Sequence, residues 1–150
     1  MKVTERLQVS NHQFFQYLLS QVLKDIEIYT KKTVNLEEIM MGYKYRKKVK
    51  MSNGSTFNLN ITVGPLIEDK YYELSYESPT ATNRYYYDIR KLDDNNIEVT
   101  YFEENAAKGT FNDWFHQFKK KLSQKSIELK ISNSLRQIEQ LIVKGQEIGY

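Results

Sequence analysis

The chain has 150 residues, about one domain's worth, and can bury roughly 70% of the surface its unfolded form exposes. It has no cysteine, two histidines and two prolines, which excludes disulfides, thiolate metal sites, iron–sulfur clusters and cysteine nucleophiles. Twelve Tyr, seven Phe and one Trp exclude disorder, collagen-like repeats and a disulfide scaffold, and the net charge of +3 excludes a strongly polyanionic or polycationic chain.

The charge is unevenly placed. Lys44, Arg46, Lys47, Lys48 and Lys50 form one acid-free basic segment. Lys119, Lys120, Lys121, Lys125, Lys130 and Arg136 dominate a second. Such segments attract polyanions or anionic membrane surfaces, though ordinary solvated faces carry similar charge. The first residues lack the apolar stretch of a secretion signal, and no apolar run has the roughly 18 residues a membrane span needs. A cytoplasmic location is the expectation.

In chain order, residues 2–9 alternate with Val3, Leu7 and Val9 on one face, which predicts a half-buried strand. Ser10-x-x-Gln13 is a capping box. Phe14, Phe15, Leu18, Leu19, Val22 and Ile26 then recur at helical spacing, predicting a helix to about Tyr29. Residues 35–41 predict a short second helix ending near Gly42. Tyr43, Tyr45, Val49 and Met51 share one strand face and Lys44, Arg46, Lys48 and Lys50 the other, with Lys47 an exception on the apolar side. Asn53-Gly54 predicts a hairpin. Phe57, Leu59, Ile61 and Val63 mark the next strand, which Gly64-Pro65 is expected to end.

Three further strands are marked by Tyr72, Leu74 and Tyr76, by Tyr85, Tyr87 and Ile89, and by Ile97, Val99 and Tyr101. Matching the apolar faces of the last two strands requires an odd-length loop or a bulge. After Thr110, a plausible N-cap, Phe111, Trp114, Phe115, Phe118 and Leu122 form one helical stripe. Ile127, Ile131, Leu135, Ile138 and Leu141/Ile142 form a second, displaced by about one residue. A continuous helix would be roughly 50 Å long and must bend near residues 123–126 or rotate its buried face.

Each strand has one apolar face, and the C-terminal helix is the element long enough to cover the sheet. The expected fold is a single α+β domain over residues 1–150, with a curved antiparallel sheet of about six strands gripping a long C-terminal helix. This order resembles the START/SRPBCC helix-grip superfamily, which includes the birch-pollen allergen and bacterial carriers of lipids and aromatic ligands. Residues 7–15 (LQVSNHQFF), 41–45 (MGYKY) and 99–104 (VTYFEE) are also similar to those of a Gram-positive bacterial family of unknown function on that fold. Its members often lie beside cellobiose-type sugar phosphotransferase genes. The resemblance implies the fold, and a regulatory role linked to sugar uptake; it carries no catalytic motif.

No G-x-G-x-x-G, Walker loop or G-x-S-x-G elbow is present. His12 and His116 without a matching carboxylate pattern make a weak metal case, and no metal and no cofactor are expected. Glu5 shares a face with Val3 and Leu7, and Glu103 with Val99 and Tyr101. First and last strands are antiparallel neighbours in a helix-grip sheet, so Glu5 and Glu103 are candidates for a carboxylate pair on the concave side. The inward rings are Tyr45, Phe57, Tyr72, Tyr76, Tyr87, Tyr101, Trp114, Phe115 and Phe118, while Tyr71 and Tyr86 face away. Rings with several hydroxyls and few charges suit a hydrophobic cavity for an amphipathic or apolar ligand; a filled core is the ordinary explanation.

The basic strand argues against nucleic acid, because its lysines and tyrosines face opposite ways. The leading expectation is an intracellular small-molecule-binding module. A START-like cyclase or hydrolase using the cavity Glu and Tyr residues is the second. A module that docks a partner or forms a homodimer through the displaced helix stripe is the third.

Overall fold

The computed structural model describes residues 1–40, 42–107 and 124–147. In chain order these form β1 (Lys2–Leu7), α1 (Asn11–Thr30), α2 (Leu36–Met40), β2 (Tyr43–Lys50), β3 (Thr56–Ile67), β4 (Tyr71–Glu77), β5 (Ala81–Asp93), β6 (Asn96–Ala107) and α3 (Gln124–Glu147). The six strands make one open, curved antiparallel sheet in the order β1-β6-β5-β4-β3-β2. The first and last strands are therefore neighbours, and the fold is α+β of helix-grip type.

The β1–α1 junction follows from local chemistry. Ser10 Oγ accepts from the Gln13 N–H at 3.0 Å, and Gln13 Oε1 accepts from the Ser10 N–H at 2.8 Å, which satisfies two donors the first helical turn leaves unpaired. The helix ends where Lys31 adopts the left-handed region (φ 59) and its N–H donates to Glu27 O at 2.9 Å. The whole predicted stripe of α1, Phe14 to Ile26, is buried.

β3 does not stop at Gly64-Pro65. It continues to Ile67, but its register with β4 shifts between Val63 and Leu66. Val63 lies opposite Leu74 and Leu66 opposite Tyr72, so β3 carries one extra residue there. Proline lacks an N–H, and at a bulge the ladder does not ask for one. The bulge that the β5–β6 faces required is also present. Lys91 pairs with Ile97 and Asp93 with Asn96, which leaves Leu92 unmatched and 41% exposed.

The β2–β3 hairpin is longer than its neighbour. β2 pairs with β3 from Tyr43/Val63 to Lys50/Thr56, whereas β4 joins β3 only from Asn60 onward. Residues 47–50 and 56–59 therefore extend past the end of β4.

The core lies between the inner sheet face and α1, α2 and α3. Leu135 of α3 is fully buried (1% exposed), with Ile131, Ile138 and Ile142 partly buried against the same core. Leu141 is 49% exposed and lies off this stripe. α3 packs on β1 and α1. The predicted helix start at Thr110, its first stripe and its bend fall at residues 110–126, of which 110–123 lie outside the described residues.

Candidate functional site

Alternation along each strand sends every second side chain to the inner face, and strand pairing then sets these side chains in rows. One row runs Tyr45, Ile61, Tyr76, Asn83; the next Tyr43, Val63, Leu74, Tyr85, Glu103; the next Leu66, Tyr72, Tyr87, Tyr101, Val3. The five tyrosines Tyr45, Tyr72, Tyr76, Tyr87 and Tyr101 share this face, together with Tyr85. Tyr85, Tyr87 and Tyr101 contact one another with ring centroids 5.3–6.1 Å apart. Tyr76 stacks on Tyr85 at 5.4 Å, and Tyr72 meets Tyr87 at 6.0 Å. From α1, Phe14 packs edge-on against Tyr87 and Phe15 against Tyr72.

The hydroxyls divide into two groups. Tyr45 donates to Asp25 Oδ2 at 2.6 Å, and Tyr72 donates to Leu18 O at 3.4 Å. Tyr76 and Tyr85 hydroxyl oxygens lie 2.8 Å apart. Only one of the two can donate within that pair, so the accepting tyrosine keeps a proton for another acceptor. Burial raises the pKa of all six phenols above the ordinary value of 10; near Tyr45 the Asp25 carboxylate adds to this, and near Tyr101 the Glu103 carboxylate does.

Two polar residues sit at the edge of the rings. Asn83, opposite Tyr76, is 8% exposed and Glu103, opposite Tyr85, is 6% exposed. Asn83 Nδ2 donates to Glu103 Oε1 at 3.4 Å. Asn83 Oδ1 is buried with no hydrogen-bond partner among the described residues. An unsatisfied buried acceptor costs about 1–3 kcal/mol and is uncommon enough to require a reason.

The remaining site candidates separate. Glu5 lies opposite Val99, and Glu103 exchanges backbone bonds with Met1. The two acids are thus four residues apart along the strands, about 13 Å, and do not form the expected carboxylate pair. Glu5 instead accepts from Arg136 Nη2 at 2.8 Å, while Arg136 Nη1 donates to Arg6 O at 2.8 Å, which fastens α3 to β1. Phe57 lies opposite Val49 on the overhanging hairpin, four residues from Ile61 and away from the tyrosines. Trp114, Phe115 and Phe118 lie outside the described residues. Lys47, the cation on the apolar side, reaches Asp25 Oδ1 at 3.0 Å and lies over the Tyr29 ring at 4.8 Å.

Sequence reasoning passed over Tyr85 and Asn83 as site residues. The signal was present: 83, 85, 87 and 89 alternate together, but Asn83 is polar in an apolar series. It weighed His12 as a surface histidine but passed over Glu68 and Asp69 beside it; the ligand atoms of the three lie within 4.8 Å of one another. His12 Nδ1 is 3.0 Å from Asp69 Oδ1, so the pair is satisfied as an ordinary surface contact.

The outer face carries its own aromatic row. Tyr71 and Tyr86 do face away from the tyrosine cluster. Glu73, 5% exposed, accepts from the Tyr71 hydroxyl and from Arg84 Nε, each at 2.5 Å. The Tyr71 phenol is pushed up to about 12 by burial and by its bond to Glu73. Arg84 lies over Tyr86 at 4.8 Å, Tyr86 stacks on Phe102 at 4.6 Å, and Lys2 lies over Phe102 at 5.5 Å. The ring faces in this row are taken by neighbours.

A curved antiparallel sheet packed against N- and C-terminal helices defines the chain as a helix-grip protein. A family model described as a domain of unknown function, DUF3284, matches residues 1–127, and the chain belongs to that family. Solved structures agree on the fold. A conserved protein from Geobacillus kaustophilus is 16% identical, with 96% of this chain and 95% of that one covered and a TM-score of 0.58. The Zhui aromatase/cyclase from Streptomyces sp. R1128 is 14% identical, with 99% and 86% covered and a TM-score of 0.51. A protein of unknown function from Staphylococcus aureus is 12% identical, with 98% and 95% covered and a TM-score of 0.52. No curated protein matches. Among the described residues, no helix is long and apolar enough to cross a membrane.

Proposed function

We propose that this chain is a binding module for a small amphipathic molecule held on the concave face. The apolar body of the ligand lies against Tyr76, Tyr85, Tyr87 and Tyr101. Its polar group donates to Asn83 Oδ1 and accepts from the spare hydroxyl of the Tyr76–Tyr85 pair. The observation that carries this reading is the buried Asn83 Oδ1, which has no partner among the described residues, at the margin of six rings. A filled core would leave that acceptor unsatisfied, whereas a ligand hydroxyl or amide would satisfy it.

Binding is favoured over acid–base catalysis for a chemical reason. Efficient proton transfer needs a group whose pKa lies near the working pH. The phenols here are displaced upward, away from neutrality, and Glu5 is committed to Arg136. A regulatory role connected with sugar uptake is part of the proposal and rests on the family resemblance alone.

The test is native mass spectrometry of the purified chain, followed by a fluorescence-monitored screen of apolar and amphipathic compounds. The expected result is a bound small molecule whose affinity falls about tenfold or more in Asn83→Ala, since a hydrogen bond to a buried group is lost. A chain that binds no compound in the screen and carries none from the cell overturns the reading.

A further inference from the structure

The outer face of the sheet holds a second feature, separate from the concave site. A groove of about 630 Å³ crosses β2, β3, β4 and the start of β5. That volume lies within the range of sites for small organic ligands. The groove exists because small side chains lie between large ones. Thr62 pairs across to Ser75, and these form the floor. Lys44, opposite Thr62, and Arg46, opposite Asn60, form the wall at the sheet edge. Glu77, on the other side of Asn60, closes the far end.

The two cations are unspent. Among the described residues Lys44 and Arg46 form no ion pair, and Arg46 makes only a long contact from Nε to Asn60 Oδ1 at 3.4 Å. The hydroxyls of Thr62 and Ser75 make no hydrogen bond among the described residues. No carboxylate of β3 faces β2, because Thr56, Asn58, Asn60 and Thr62 occupy the positions opposite Lys50, Lys48, Arg46 and Lys44. Residues two apart on a strand stand about 7 Å from each other, so Lys44 and Arg46 can grip one tetrahedral anion from two sides. Glu77 is two strands from Arg46, about 10 Å. The groove is thus cationic at one end, lined with hydrogen-bonding side chains in the middle, and anionic at the other.

We propose that this groove binds a small phosphate monoester with a hydroxyl-bearing body. The phosphate lies between Lys44 and Arg46. The body crosses Asn60, Thr62 and Ser75, and its far hydroxyl donates to Glu77. A nucleic-acid strand fits less well. Glu77 interrupts the cationic track, and the nearby rings that could stack bases, Tyr86 and Phe102, have their faces covered by Arg84, Lys2 and each other.

The experiment is a titration of isotope-labelled protein with glycerol 3-phosphate at low ionic strength, followed through backbone amide shifts, with glycerol and inorganic phosphate as controls. Saturable shifts at residues 44–46, 60–62 and 75–77 are expected, with weaker binding of phosphate and none of glycerol. The Lys44→Ala/Arg46→Ala double variant should weaken binding by tenfold or more, as losing hydrogen bonds to a charged group implies. Both positions are exposed, so that variant should keep the parent's circular dichroism. Tyr85→Phe on the concave face should leave this titration unchanged. Shifts confined to other residues, an undiminished affinity in the double variant, or phosphate binding as tightly as the monoester would each overturn the proposal. So would tighter binding of a single-stranded oligonucleotide, with affinity rising with its length.

Discussion

Raising the pH should unfold this protein in one cooperative step, because six of its twelve tyrosines are held neutral by burial. An unfolded tyrosine ionises near pH 10. A folded phenol with a higher value keeps its proton there, so above pH 10 the unfolded state binds fewer protons and stability falls as pH rises. The stabilising contribution is intact below pH 10 and is lost as the pH climbs toward the folded-state values. At pH 11 a tyrosine whose folded value lies well above 11 favours the unfolded state by about 1.4 kcal/mol, and the six together by at most about 8 kcal/mol. A domain's whole stability is about 5–15 kcal/mol, so the midpoint should fall near pH 11. Phenolate absorbance and far-ultraviolet circular dichroism should be recorded on the same samples. Part of the tyrosine signal should appear near pH 10 with the fold intact, and the rest should appear together with loss of ellipticity. Titration of all twelve tyrosines near pH 10 with unchanged ellipticity would refute the assignment of the six to a buried cluster.

Three other outcomes follow from particular contacts. Leu135→Ala should cost about 3 kcal/mol, since the side chain is 1% exposed and anchors α3; calorimetry should show Tm lower by about 6–12 °C. Ser10→Ala removes the reciprocal cap of α1 and should cost about 1 kcal/mol in urea unfolding, with an unchanged m-value. Arg136→Ala should cost less than about 1 kcal/mol in the same assay, because its contacts with Glu5 and Arg6 are solvent-exposed and screened; a loss of several kcal/mol would mean that the pair, rather than Leu135, holds α3 down.

Face assignment was legible because alternation is a local property. Tyr45 and Tyr76 lie between polar neighbours that point outward, Tyr72, Tyr87 and Tyr101 alternate with the apolar Leu74, Ile89 and Val99 on their own face, and no knowledge of pairing is needed to group them. The α1 cap was legible for the same reason, since Ser10 and Gln13 satisfy each other within one turn. Register was not legible. Whether Glu5 meets Glu103 or Val99 depends on a pairing set by β1 and β6 over their whole lengths, and its actual partner, Arg136, is 131 residues away in sequence. Gly64-Pro65 misled because proline usually marks a strand's end. The bulge that accommodates it is a property of two strands and has no signature in one. Asn83 was passed over because a polar residue on an apolar face looks like noise until its burial and its unmatched oxygen are seen together.

The overhang of the β2–β3 hairpin changes how the sheet should behave as a body. From β1 to β4 the strands are braced on both sides, by α1 and α3 within and by the Lys2–Phe102–Tyr86–Arg84 row without. Residues 47–50 and 56–59 pair with no third strand, held at their root by the contacts of Lys47 with Asp25 and Tyr29 and by Leu59 against the core, and two strands alone are marginal in water. The hairpin tip is a cantilever rooted where Asn60 meets Glu77. Its amide protons should exchange with solvent long before those of Ile61 or Val63, and its bending shifts Lys48 and Lys50 without disturbing the tyrosines. The molecule therefore has a stiff plate that keeps the concave face in shape and a compliant arm that samples the space beside it.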